Sequence, residues 1–256
     1  MKKVLITGDS QTAALRQGLS ILEQARALPK DLDISIQPLG AGSHLTSPFF
    51  KKADGKITIL ERVYKRRIPV LPMDGDVSMY GFSGNIHTIR VLRDIDWRDY
   101  APSPTAKREN AVSLGFMQKL FEADQRYILA FLDAMKSLGM KVFVIDAPRP
   151  FQHHPMFEQC RKDVLMHLDR EYRRYILNEL AARDIDVIAT PDECVDAEGF
   201  MLAEFRHPDV RDRHHANEKY GEIMARRIVD YLADKLATSA PTRTAFEGPQ
   251  ETAHAS

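Results

Sequence analysis

Across 256 residues the chain carries two cysteines, one tryptophan and no net charge. Two thiols, Cys160 and Cys194, make neither a disulfide framework nor a four-cysteine zinc site, which fits a reducing compartment. The 36 Lys+Arg are balanced by 36 Asp+Glu. That balance argues against a general electrostatic grip on DNA, RNA or an anionic lipid surface. No apolar run approaches the ~18 residues of a membrane span. Val4-Leu5-Ile6, directly after Met1-Lys2-Lys3, falls short of the ~7–15 apolar residues of a signal-peptide core. The expectation is a cytoplasmic protein that engages neither nucleic acid nor membrane. Its oligomeric state is not legible.

What is present is ordinary for a globular protein: 44% hydrophobic and 28% charged residues. At ~150 residues per domain the length allows one large domain or two small ones. A chain this long buries roughly 70% of its unfolded surface, so it needs no metal or disulfide to fold.

Short apolar runs alternate with amphipathic stretches. Lys3 to Thr7, Ile34-Ser35-Ile36, Val77 to Phe82, Val142 to Ile145 and Ile185 to Ala189 read as strands. Helical spacing places Leu15, Leu19, Leu22 and Ala25 on one face between Thr12 and Leu28. A long helix is expected from about Glu109, with Gly139 as its C-cap residue. Two more are expected, through Leu165 to Leu180 and from about Asn217 to Leu236. Five buried strands separated by helices predict a three-layer α/β/α sandwich around a parallel sheet. Phe49 to Met73 breaks the alternation and reads as a strand-rich excursion, in a position to overhang the site. Residues 1–237 are expected to form one domain, with 238–256, rich in Thr, Ala, Ser and Pro, as a disordered tail.

In doubly wound sheets ligands bind beyond the C-terminal strand ends, so those turns carry the functional argument. Gly8-Asp9-Ser10 follows the first strand. A serine there exposes its hydroxyl above the sheet and sets its own N–H at a helix N-terminus. The competing reading is a helix cap. Neither a Gly-x-Ser-x-Gly elbow nor a Walker A or Gly-x-Gly-x-x-Gly loop accompanies it. Gly40 and Gly42 follow the second strand. Gly84-Asn85 follows the third, where Asn85 either donates to an oxyanion or simply makes a turn. Asp212-Arg213-His214-His215 precedes the last helix. Asp212 and His215 read either as a carboxylate orienting an imidazole or as a cap beside a solvated loop residue.

Taken jointly, Gly8-Asp9-Ser10, the glycines after the second strand, Gly84-Asn85 and Asp212-x-x-His215 resemble the SGNH superfamily of GDSL-type hydrolases. Ala216-Asn217 and Tyr220-Gly221 are also similar to that family's final block. The resemblance spans about Lys3 to Leu236 and implies a flavodoxin-like sandwich with five parallel strands. It implies Ser10 as nucleophile, His215 as general base and Asp212 as the residue orienting it. The oxyanion hole it implies consists of the Ser10 N–H, the Asn85 side chain and a glycine N–H. Gly42 is preferred over Gly40 because the hydroxyl residue Ser43 follows it. The pattern departs at Gln11, where the family often has Leu, and at Ile86, where it often has Asp.

The activity implied is hydrolysis or transfer of a short acyl group, such as an O-acetyl on a carbohydrate, without metal or other cofactor. Secondary candidates are His44 and His87, as pocket lining or more simply as polar loop residues, and Arg149, as an anion contact or by default an exposed loop cation. Phe49, Phe50 and Phe151 are candidates for an acyl wall, although such aromatics more often pack a core. Lys65-Arg66-Arg67 reads as a solvated turn. Trp97, between Asp96 and Arg98, reads as partly exposed. Two other readings compete. A metal-dependent phosphoesterase would draw on Asp9, Asn85, His87, His153, His154, His207 and His215. A non-catalytic protein would bind esters on the same scaffold.

Overall fold

The computed structural model describes residues 1–60, 70–71, 77–84 and 95–237. Asn85, His87, Lys65-Arg66-Arg67 and the segment 238–256 lie outside the described residues.

Among the described residues, ten strands and four α-helices run in the order β1 (Lys2–Gly8), α1 (Thr12–Gln24), β2 (Leu32–Pro38), β3 (Phe50–Ala53), β4 (Lys56–Ile59), β5 (Val70–Leu71), β6 (Val77–Ser83), β7 (Tyr100–Pro102), β8 (Asn110–Val112), α2 (Leu114–Ser137), β9 (Val142–Ile145), α3 (Lys162–Ala181), β10 (Asp186–Ile188) and α4 (Glu218–Ala237). The main sheet is parallel, with spatial order β10-β9-β6-β1-β2. All five strands expected from the apolar runs are in it. Strand order reverses beside β1, which puts the switch point of the sheet at the turn that carries Ser10.

Each face of the sheet has its own apolar cluster. On one, Leu15, Leu19 and Leu22 of α1 meet Tyr220, Met224, Ile228 and Leu232 of α4 over Val4 and Ile6. On the other, Phe121, Ile128, Phe131 and Leu132 of α2 and Leu168, Tyr172 and Ile176 of α3 cover Leu5, Phe82 and Val144. Alternate residues of β1 thus feed opposite clusters, as the period of two requires. This is the α/β/α sandwich of the sequence reading.

The excursion forms an antiparallel sheet, β3-β4-β5. It packs against α2: Phe49 and Phe50 stand with ring centroids 5.1 and 5.2 Å from Phe131, and Phe131 in turn meets Phe82 at 5.8 Å. Phe49 and Phe50 are therefore core packing. Phe151 is buried at 1% exposure in the α1/α4 cluster, so none of the three aromatics stands as an open acyl wall.

Three local expectations are corrected. The long helix starts at Leu114 rather than near Glu109, because the Ser113 hydroxyl accepts the Phe116 N–H at 3.2 Å and caps it. Asn110–Val112 pairs in parallel with Tyr100–Pro102 instead, while Glu109 forms an ion pair with Arg161. Trp97 is buried, at 2% exposure. Its charged neighbours pair with each other at the surface, Arg98 Nη2 to Asp96 Oδ2 at 2.6 Å, while the ring turns inward. Arg149 is not a free loop cation: its Nη1 lies 3.4 Å from the buried Asp169. The expected stop at Gly139 is as read, with Gly139 N–H on Lys136 O at 2.9 Å and Met140 N–H on Met135 O at 3.3 Å.

Candidate active site

The nucleophile turn is shaped by Asp9. Its Oδ1 accepts the Gln11 N–H at 2.9 Å, and its carbonyl accepts the Thr12 hydroxyl at 2.7 Å and the Thr12 N–H at 3.2 Å. The Asp9 N–H in turn reaches the Ser83 carbonyl at 3.2 Å, tying the turn to the end of β6. Gly84 makes this approach possible. Its φ is +95°, and a Cβ there would lie 2.5 Å from the Asp9 carboxyl carbon. With Asp9 serving the first donors of α1, the Ser10 hydroxyl is left to face elsewhere.

It faces His215. Ser10 Oγ lies 2.9 Å from His215 Nε2, although 205 residues separate them in sequence. His215 Nδ1 lies 2.8 Å from Asp212 Oδ2 and 3.1 Å from Oδ1. An ionised carboxylate only accepts, so the Asp212 contact places the imidazole proton on Nδ1 and leaves Nε2 as the acceptor toward Ser10. Asp212 Oδ1 also accepts the backbone N–H groups of His215 at 3.0 Å and His214 at 3.2 Å. Those bonds fold the chain sharply enough to return the ring to its own carboxylate. Burial works against the Asp212 charge. The His215 backbone N–H, the His215 side chain and its charge, and the His214 N–H outweigh it, holding the carboxyl at about 2.

The loop that presents His215 is pinned on both sides. His207 N–H donates to the His215 carbonyl at 3.1 Å, and Arg206 bridges to Ala216. Asn217 caps α4 by accepting the Lys219 and Tyr220 N–H groups at 3.1 and 3.2 Å, while its amide donates to Glu204 O at 2.7 Å. Nucleophile and base thus stand before α1 and α4 respectively, and those helices touch backbone to backbone. A Cβ on Gly18 would sit 2.0 Å from the Gly221 carbonyl carbon, and one on Gly221 would sit 1.9 Å from the Ala14 carbonyl oxygen. Only two glycines permit this crossing. A glycine inside each helical pattern was the signal available in the sequence for it.

The glycine block lies beside the same turn. β1 and β2 pair Gly8 with Pro38, and the Leu39 N–H reaches the Gly8 carbonyl at 2.7 Å. Gly40 follows directly and is buried, while Gly42 opens a 3-10 turn, Gly42–His44. His44 belongs to that turn, and its Nδ1 lies 3.0 Å from where a Gly40 Cβ would be.

Sequence reading missed two groups. One is a buried ionic knot at the end of β9, where Arg173 binds Asp146 and, at 3.0 Å, Asp169. Burial opposes the guanidinium charge there, and the two carboxylates outweigh it. The other is a file of side chains beside the Ser10–His215 contact: Gln11, His214 and His154. The file shows in no one-dimensional pattern, because its partners come from separate loops; in the knot Asp169 and Arg173 stand four apart on α3, but Asp146 joins them from the end of β9. Among the described residues no three of His, Cys, Asp or Glu are placed to hold a metal ion.

The architecture is shared with known proteins. A lipolytic protein assigned to the G-D-S-L family, from Desulfitobacterium hafniense, superposes with a TM-score of 0.52 at 12% identity, covering 90% of this chain and 99% of its own. A carbohydrate acetylesterase family member from Sinorhizobium meliloti gives 0.52 at 12% identity, over 93% of this chain and 100% of its own. A protein assigned as a platelet activating factor, from Streptococcus pneumoniae, gives 0.53 at 10% identity, over 90% and 84%. The chain therefore has the SGNH-type fold of GDSL lipolytic proteins and acetylesterases. No protein-family model matches its sequence, and no curated protein does. Among the described residues no helix is long and apolar enough to cross a membrane.

Proposed function

We propose that this chain is a serine ester hydrolase of the SGNH superfamily, acting through a Ser10 acyl-enzyme. The observation that carries the reading is the unbroken file from Ser10 Oγ to His215 Nε2 at 2.9 Å and from His215 Nδ1 to Asp212 Oδ2 at 2.8 Å. In this reading His215 Nε2 takes the Ser10 proton as Oγ attacks an ester carbonyl carbon. The C–O bond to the alcohol then breaks, and the imidazolium returns the proton to the leaving oxygen. Water, activated by the same Nε2, hydrolyses the acyl-serine. Asp212, ionised down to about 2, holds the imidazole tautomer and stabilises the transient cation.

The oxyanion is received by the Ser10 N–H at the start of α1, a backbone N–H of the Gly40–Gly42 turn, with Gly42 preferred on sequence, and the Asn85 amide. Loss of one such donor typically costs ~10²–10³-fold. The substrate is a short acyl ester, and the fold shared with a carbohydrate acetylesterase supports an O-acetyl on a sugar. A sugar hydroxyl in place of water would make the same cycle a transfer.

The test is covalent capture. Purified protein and Ser10→Ala are treated with a fluorophosphonate, weighed intact and peptide-mapped. One adduct on Ser10, absent from the variant, is expected. No adduct, together with metal-dependent turnover of phosphate esters, overturns the reading in favour of a phosphoesterase. An ester bound tightly and recovered intact after long incubation overturns it in favour of a binding protein.

A further inference from the structure

We propose that Gln11, His214 and His154 form a neutral hydrogen-bond chain of fixed direction that positions the nucleophile turn against the loop carrying the base. The kinetic part of this inference rests on the esterase reading; the structural part does not.

The direction follows from donors and acceptors. The Met156 backbone N–H donates to His154 Nδ1 at 3.1 Å, so that nitrogen carries a lone pair and the proton of the neutral ring is on Nε2. His154 is buried, at 5% exposure. Its Nε2 lies 3.3 Å from His214 Nδ1, which must then accept. His214 is left with its proton on Nε2. That atom meets the terminal amide of Gln11, whose Nε2 lies at 3.2 Å. Two N–H donors cannot bond to each other, and the Gln11 Oε1 is buried with no hydrogen-bond partner among the described residues. An amide presents oxygen or nitrogen with the same shape, and the network chooses between them. Turned over, Gln11 Oε1 accepts the His214 N–H, and the chain runs Met156 N–H to His154 to His214 to Gln11.

Two members of this chain bear directly on the site. Gln11 follows Ser10 directly. His214 precedes His215, its ring stands 4.7 Å from the His215 ring at 68°, and the two backbones share Asp212 Oδ1. The chain is thus a second link between the two halves of the site, parallel to the Ser10–His215 contact. That contact is remade each time the Ser10 proton moves, whereas the second link carries no reacting proton and persists. A leucine in place of Gln11 would remove the acceptor that fixes the His214 tautomer.

The experiment is long-range proton–nitrogen NMR of the histidine rings near neutral pH, with steady-state kinetics on an acetyl ester. In the native protein both His154 and His214 are expected as neutral Nε2–H tautomers. In Gln11→Leu the His214 signals are expected to lose their single tautomer, and kcat to fall about tenfold with KM changed less than about twofold. His154→Leu should do the same. His154→Gln, which keeps an amide N–H toward His214, should recover kcat to within about threefold of native. A proton on His214 Nδ1 in the native protein would overturn the proposal. So would a Gln11→Leu protein with unchanged histidine signals and kcat. If Ser10→Ala retains ester turnover while the native tautomers are as stated, the esterase reading falls and the chain stands.

Discussion

Two serines stand at the starts of two helices, and they do opposite things. Ser113 turns its hydroxyl back onto α2 and accepts the Phe116 N–H, as an N-cap should. Ser10 stands before α1, where the residue flanking the helix, Gln11, gives no side-chain cap, and its hydroxyl points to His215. The difference lies in the neighbour. Asp9 supplies the acceptors at the α1 start, so Ser10 is released from capping, whereas no residue relieves Ser113. A serine at a helix start becomes available for chemistry when another group takes over its structural duty.

Substitutions separate the two roles. Ser10→Ala should lower kcat on an acetyl ester by on the order of 10⁴–10⁶-fold, with thermal stability moved by less than about 1 kcal/mol. A drop of only a few-fold would return Ser10 to the capping class. Gly221→Ala tests whether helix crossing sets the site. The added Cβ meets Ala14 O at 1.9 Å. Forcing α1 and α4 apart should cost about 1–3 kcal/mol in urea unfolding and on the order of 10²-fold in kcat/KM. Loss of stability with full activity would detach the crossing from the chemistry.

Asp212→Asn addresses pH. The native carboxyl is held at about 2 against an ordinary 3.8. A depressed carboxyl stabilises the fold above its unfolded value and loses that effect as pH falls through the folded one. The native protein should therefore exceed the variant by about 2 kcal/mol above pH ~4. The gap should close as pH drops toward about 2. A gap independent of pH would assign Asp212 a purely steric role. Ser113→Ala gives the smallest expected effect, about 1 kcal/mol of stability with unchanged kcat, read by thermal unfolding alongside the ester assay.

The five parallel strands were legible because buried strands are continuous apolar runs; Ser10 drew notice in the turn after the first strand, and Asp212 and His215 by their three-residue spacing before the last helix. Both serines of the comparison illustrate the limit. Ser113 lay inside an expected helix, since nothing in Glu109 to Val112 announces a pairing with the distant Tyr100–Pro102. Trp97 was misread because its charged flanks say nothing about which way a loop ring turns. The Gln11–His214–His154 file needs three loops to meet, and each residue alone reads as an ordinary polar side chain in a turn. Asn85, expected in the oxyanion hole, lies outside the described residues.

The two ends of the sandwich also meet. Lys2 Nζ, at the start of β1, donates to the Leu236 carbonyl near the end of α4 at 2.9 Å. That junction lies at the opposite end of β1 from Ser10, about 20 Å away for a seven-residue strand. A short linker joining residues 237 and 2 would leave the Ser10–His215 contact untouched, so circular permutants opened at a surface turn such as Asp54-Gly55 should be obtainable. For the same reason, immobilisation through the Lys2–Leu236 junction would hold the molecule with its Ser10 turn pointing away from the support.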